Sequence, residues 1–301
     1  MDVAAVSQVR AFNRAVAERI GALTDEFLGR GRPMGESRTL WEIGPDGAEV
    51  RELRTRLGLD SGYASRVLRS LERQRLVRVA PSPADRRVRT VRLTPAGRAE
   101  RAELDRRADA VAWSFLGPLT ADQREKLLAA IADVEKLLRA SMVGIAVEDP
   151  RAPGAWWCVE QYFAELNRRF DAGFEPARSI SAEPEELTLP TGLLLVARLR
   201  GRPVGCGALK FHHGAPAELK RMWVAPEVRG LGLGRRLLHE LEAQARRHRV
   251  KVLRLETNGA LHEAIQLYRA GGYHEVPRFN DEPYAHHWFE KTLDLRPKLK
   301  V

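Results

Sequence analysis

The chain changes its hydrophobic period near the middle. Apolar residues at Phe12, Val16, Ile20, Leu23 and Phe27 recur every three or four positions, which predicts a helix over 7–28. Short helices follow over 36–43 and 50–57. A fourth covers 61–74, where Ala64, Val67, Leu68 and Leu71 share one face. The pattern then alternates. Segments 76–79 and 88–93 read as two strands joined by the turn-rich Ala80-Pro81-Ser82-Pro83-Ala84-Asp85. Thr94 caps a long helix reaching about residue 115, with Pro95 at its first position, and another helix covers about 120–141.

A boundary is expected within 142–153. Val143-Gly144-Ile145-Ala146-Val147 reads as a first strand, and Pro150, Pro153 and Gly154 follow it. Beyond lie helices over 155–170, 232–247 and 261–270. They are interspersed with strands over 193–199, 204–211, 218–224, 252–257, 273–276 and 287–292. That order predicts an α/β domain. Two domains of ordinary size are expected, residues 1–142 and 143–301.

Composition narrows the partners. The formal charge of +10 favours anionic ligands, either nucleic acid or a phosphorylated cofactor. No apolar run approaches the roughly 20 residues that span a bilayer, so no membrane partner is expected. The N-terminus lacks a basic patch followed by an apolar stretch, and the two cysteines, Cys158 and Cys206, have no metal-ligand spacing. A reducing cytoplasm is the simplest reading. Cys206, between Gly205 and Gly207, reads as core.

The charge is not spread evenly. Between Arg66 and Arg92 stand nine arginines against two acids, Glu72 and Asp85. On the 61–74 helix, Ser65, Arg66, Arg69 and Arg73 face away from the apolar stripe, and Asp60 or Ser61 caps its start. Such a face suits a major groove, where arginine reads guanine bidentately and Ser61, Tyr63 and Ser65 meet bases or phosphates. The ribbon tip carries Asp85-Arg86-Arg87. The segments Val50-Arg51-Glu52-Leu53, Leu57-Gly58-Leu59-Asp60-Ser61-Gly62-Tyr63, Asp85-Arg86-Arg87 and Leu93-Thr94-Pro95-Ala96-Gly97 resemble a MarR-family transcriptional regulator over residues 5–140. The resemblance implies a winged helix-turn-helix that dimerises through its terminal helices and binds double-stranded DNA at a pseudo-palindromic operator. Ser61, Tyr63, Ser65, Arg66 and Arg69 would serve the major groove, and Arg86 and Arg87 the minor groove. Arg75 departs from the family, which usually has glycine before the wing. Either an altered helix cap or an added phosphate contact follows.

The second half is most informative at Glu218-Leu219-Lys220-Arg221-Met222-Trp223-Val224, then Ala225-Pro226-Glu227, then Arg229-Gly230-Leu231-Gly232-Leu233-Gly234-Arg235. Glycines between a strand and a helix let backbone N–H groups approach an anionic phosphate at the helix N-terminus. No Gly-Lys-Ser/Thr ends the turn, and Arg235 stands where a dinucleotide fingerprint needs its third glycine. The remaining pattern, R-x-x-G-x-G, resembles the GNAT superfamily of N-acetyltransferases. So does Ala264-Ile265-Gln266-Leu267-Tyr268-Arg269-Ala270-Gly271-Gly272-Tyr273. The resemblance covers about 143–295. It implies a splayed mixed sheet with acetyl-CoA wedged between the strands ending near Val224 and Thr257. Met222, Trp223 and Val224 would bind pantetheine, and Arg229, Gly230, Leu231, Gly232, Leu233, Gly234 and Arg235 the pyrophosphate. A backbone N–H near Val224 would meet the oxyanion.

The chemistry assigns the rest. An amine must be neutral to attack a thioester, so a base has to accept its proton, and the departing thiolate benefits from an acid. Tyr268 matches the superfamily's acid position, and Glu218 is the candidate base. Trp156, Trp157, Tyr162, Phe163 and Phe170 either shape an acceptor site for an aromatic amine or simply pack as core. His212-His213 and His286-His287 carry no metal reading, since adjacent strand residues face opposite ways. The expected activity is acetyl transfer to a primary amine: a small amine, an amino acid or a lysine. The alternative is a regulator whose second half only senses acyl-CoA or an amine.

Overall fold

The structure, a computed structural model, describes residues 2–20, 27–180 and 182–294. Contacts divide the chain into two units, Met1–Ala130 and Ile131–Val301.

The first unit is mainly helical. It contains α1 (Val3–Arg19), α2 (Met34–Glu42), the short strand β1 (Ala48–Glu49), α3 (Val50–Leu57) and α4 (Ser61–Arg73). These lead into β2 (Val77–Pro81), β3 (Arg89–Leu93), α5 (Pro95–Leu116) and the start of α6 (Ala121–Ser141). Strands β2 and β3 form an antiparallel ribbon, Val77 opposite Leu93 through Pro81 opposite Arg89, and β1 adds to β3. The stripe foreseen on α4 is buried, with Val67, Leu68 and Leu71 packing among Leu40, Ile43, Leu53, Leu76, Val91 and Leu104. Each such side chain contributes about 1.5–3 kcal/mol relative to exposure.

Two expectations change here. The first helix spans Val3–Arg19 rather than 7–28, and it buries no residue. Phe12 is 50 % exposed and Val16 38 %; Leu23 lies outside the described residues. Helix α6 leaves Leu128, Ile131, Val134, Leu137 and Leu138 exposed as well. Periodicity correctly marked these helices, but it does not say what covers the apolar face. At the other position Arg75 adopts φ 59°, the left-handed conformation that glycine usually supplies. The helix end closes through Arg75 N–H to Glu72 O (2.8 Å) and Leu76 N–H to Leu71 O (3.0 Å). Of the two alternatives for Arg75, this is the altered cap, at a conformational cost of about 1–2 kcal/mol.

The second unit is α/β. A seven-stranded sheet runs in the order β4-β5-β6-β7-β8-β10-β9. Its strands are β4 (Val143–Glu148), β5 (Gly192–Leu199), β6 (Arg202–Lys210), β7 (Ala217–Val224), β8 (Val252–Thr257), β9 (His274–Glu275) and β10 (His287–Thr292). All neighbours are antiparallel except β7 and β8. Helices α7 (Pro153–Arg169), α8 (Leu233–Arg247) and α9 (His262–Ala270) complete the unit. The core gathers Leu193 to Ala197 of β5 with Cys206, Ala208 and Leu209 of β6, and with Leu237, Leu238 and Leu241 of α8. Both cysteines are free and buried. The parallel pair β7–β8 is joined only at Ala217–Leu253 and Glu218–Arg254. Beyond Glu218 the two strands part. Among the described residues no helix is long and apolar enough to cross a membrane.

Candidate functional site

On α4, Asp60 rather than Ser61 caps the helix. Its carboxylate accepts from Tyr63 N–H at 2.9 Å, and that bond holds the carboxyl below its ordinary range. Ser61 is exposed, and Ser65 donates back to Ser61 O at 2.8 Å. Arg66, Arg69, Arg86 and Arg87 are exposed, and none makes a salt bridge among the described residues. Arginines elsewhere in the unit do, as Arg32 and Arg38 do with Glu100 and Glu42. On the ribbon Arg78 stands directly opposite Arg92. Like charges in that position oppose pairing, and an anionic ligand relieves them. Tyr63 carries the Arg66 guanidinium over its ring at 5.6 Å. It is half-buried against the core, and its hydroxyl fills the space left by Gly35, where a Cβ would stand 2.3 Å away.

In the second unit the β7–β8 gap forms a cavity of about 550 Å³. Strand β7 carries an extra residue opposite Cys206–Ala208, and Arg221 there has φ 57°. Met222, Trp223, Val224, Arg229, Gly230, Gly232, Leu233, Gly234 and Arg235 line the cavity. Leu231 is not among the lining residues; it packs on the core. Gly232 is the N-terminal cap of α8 at φ 73°, and a Cβ there would meet no atom within 4 Å. The turn therefore lies open in front of the α8 N-terminus. Arg229 secures this turn: its guanidinium donates to Val224 O at 3.0 Å and pairs with buried Glu165. Trp223 donates to the same Glu165 at 2.9 Å.

A second, smaller cavity of about 90 Å³ adjoins the first. Tyr162, Leu166, Met222, Leu261, Ala264 and Tyr268 line both. Tyr268 is 5 % exposed, and burial pushes its phenol well above the usual range. It therefore stays a proton donor at neutral pH.

Glu218 is placed differently from expectation, since it lines neither cavity. It sits where β7 and β8 still pair, with His212 at 3.1 Å and Lys220 at 2.9 Å. Burial raises its pKa, but Lys220 and then His212 outweigh this and hold the carboxyl below its ordinary range. Glu256 of β8, unlike Glu218, lines the small cavity with Tyr268. It pairs with Lys220 and accepts from Asn280 at 3.2 Å. Burial alone would lower the Lys220 pKa, but Glu256 and then Glu218 raise it, so Lys220 remains a cation. Of the aromatic residues singled out on α7, Tyr162 and Phe170 line the small cavity. Phe163 stacks on Phe174, Trp157 meets Trp223 edge-on, and Trp156 donates to Glu160.

The acetyltransferase (GNAT) family profile matches residues 159–273, and the MarR family profile matches residues 30–88. An IAA acetyltransferase from Azospirillum brasilense is 37% identical over 128 residues, 42% of this chain and 82% of that protein. An uncharacterized N-acetyltransferase from Schizosaccharomyces pombe is 32% identical over 145 residues, 47% and 84% of the two chains. An acyl-CoA N-acyltransferase of solved structure from Klebsiella pneumoniae aligns at 30% identity, over 51% of this chain and 99% of that one, with a TM-score of 0.41. The chain thus belongs to the GNAT acetyltransferase family through its C-terminal half, and carries ahead of it a MarR-family winged helix-turn-helix domain.

Proposed function

We propose that the C-terminal domain transfers acetyl from acetyl-CoA to a primary amine, and that the N-terminal domain binds a pseudo-palindromic DNA site as a homodimer. The proposed domain boundary is 142/143, a reading supported by the end of α6 at Ser141 and the start of β4 at Val143. The observation that carries the enzymatic reading is the position of Tyr268, a buried proton donor where the two cavities meet.

The residues fit acetyl-CoA. The parted strands leave an elongated cleft, and the open turn at Gly232 offers backbone N–H groups to the pyrophosphate. Met222 to Val224 offer backbone to the pantetheine. Ala225 N–H is directed at Val204 O on β6. Successive strand N–H groups alternate in direction, so Val224 N–H faces the opposite edge, the cleft, where it serves the carbonyl oxygen as charge develops. Acetyl-CoA supplies an activated acetyl group. Glu256, rather than Glu218, takes the proton from the incoming ammonium, directly or through a water. As the C–N bond forms and the C–S bond breaks, the Tyr268 hydroxyl gives its proton to the departing sulfur.

The base assignment is tested with two variants. Glu256→Gln is expected to lower kcat by about 10²-fold or more at neutral pH, with partial recovery as alkaline buffer deprotonates the amine. Glu218→Gln is expected to stay within about threefold of the wild type, since a residue outside the cavity makes no proton transfer. Loss of turnover in Glu218→Gln with little change in Glu256→Gln returns the base to Glu218.

On the DNA side, the exposed Arg66, Arg69, Arg86 and Arg87, which make no salt bridge among the described residues, support the reading. The exposed apolar residues of α1 and α6 support a homodimer through these helices, because an isolated chain leaves that surface to water.

A further inference from the structure

Resting on the proposed acetyl transfer, we infer that the acceptor is a small aromatic amine without a carboxylate, held as a cation by Glu282. Glu282 lines the small cavity and is 7 % exposed. Its carboxylate accepts from Ser179 Oγ at 2.8 Å, Ile180 N–H at 2.7 Å and Tyr284 N–H at 3.2 Å. All three donors are neutral. No lysine, arginine or histidine nitrogen lies within 4 Å of Glu282 among the described residues, whereas Glu256 in the same cavity has Lys220. The three bonds fix where the carboxylate points but leave its charge without a counterion, an unfavourable arrangement that a bound ammonium corrects.

The cations that line the cavity are otherwise engaged. Lys220 is shared between Glu218 and Glu256, and the Arg221 guanidinium lies 4.4 Å above the Phe163 ring. The Glu282 carboxylate, with no lysine, arginine or histidine beside it among the described residues, therefore selects against an acceptor carboxylate. The walls select for a ring. Phe170, Phe174 and Tyr284 form a continuous aromatic surface, with centroids 4.9 Å apart for Phe174–Tyr284 and 5.8 Å for Phe170–Tyr284. Tyr284 is fixed by the same segment: its N–H goes to Glu282 and its carbonyl accepts from Asn258 at 2.7 Å. Ring and carboxylate are thus set by one short stretch of chain, 282–284. An aromatic ammonium over such a surface gains both apolar burial and cation–π attraction.

The test is calorimetric and independent of turnover. The full chain, saturated with unreactive coenzyme A, is titrated with 2-phenylethylamine and with phenylalanine, which differ by one carboxylate. The wild type is expected to bind 2-phenylethylamine at least about tenfold more tightly than phenylalanine. Glu282→Gln is expected to lose about tenfold or more for the amine while its coenzyme A affinity stays unchanged, which also shows that the variant is folded. Equal amine affinity in the variant overturns the inference, as does phenylalanine binding as tightly, or no binding of 2-phenylethylamine. Failure of coenzyme A to bind the wild type counts instead against the proposed function, and the amine titrations are then read on the unloaded chain.

Discussion

Tyr268→Phe is expected to lower kcat by about 10²-fold or more while leaving acetyl-CoA affinity unchanged. The substitution removes one oxygen and keeps the ring, which contacts Tyr273 and Phe289 at centroid distances of 5.9 and 6.2 Å. Packing is therefore retained and the proton is lost. Burial raises the phenol far above its ordinary pKa, so the donor is protonated over the whole working range. Alkaline buffer should not titrate it away, and no fall in kcat below pH ~10 is expected from this residue. Steady-state rates and calorimetry on the same preparation separate the two effects. A kcat equal to wild type would make Tyr268 a packing residue of the β7–β8 cleft and nothing more.

The second large effect concerns DNA. Arg86→Glu with Arg87→Glu is expected to weaken operator binding about 10²-fold at physiological salt and to flatten the salt dependence. Each neutralised phosphate adds about 0.9 to the slope of log K against log salt, so two lost contacts reduce it by about 2 per wing. Both side chains are exposed and make no salt bridge among the described residues, so the reversal leaves the fold unharmed. Fluorescence anisotropy at several salt concentrations measures affinity and slope together. Unchanged affinity and unchanged slope would remove the wing from the DNA contact. Acetyl transfer in the same variant should match the wild type.

Most elements were legible because their periodicity is strong. The α4 stripe, the β2–β3 ribbon and the α/β order of the second half came from spacing alone, and the glycine-rich turn from its residue types. What escaped depends on long-range geometry. Glu218 and Glu256 both lie on strands at the cleft, and only the point where the β7–β8 pairing stops, at Glu218 and Arg254, separates one from the other. That point lies just ahead of the Arg221 bulge and is not marked in the local sequence. Glu282 meets Ser179 and Ile180 across about a hundred residues, so no window of sequence joins them. The one available sign of Glu256 was a carboxylate at the end of a strand whose Leu253 and Leu255 are buried. The α1 stripe buries no residue in its own chain, and its spacing alone does not show this, since an apolar face is equally regular whether it covers its own core or a second chain. The sequence puts Tyr63 on α4 but does not show that it is half-buried there beside Gly35.

The central claim is that the β7–β8 cleft takes acetyl-CoA and passes its acetyl group to an amine. The most direct measurement is titration of the full chain with acetyl-CoA by calorimetry, followed by release of free thiol on addition of 2-phenylethylamine. Saturable binding at one site per chain, with thiol release that depends on the amine, is the predicted result. Absence of acetyl-CoA binding, or binding with no thiol release from any primary amine, would contradict it, the latter leaving a domain that only senses its ligand.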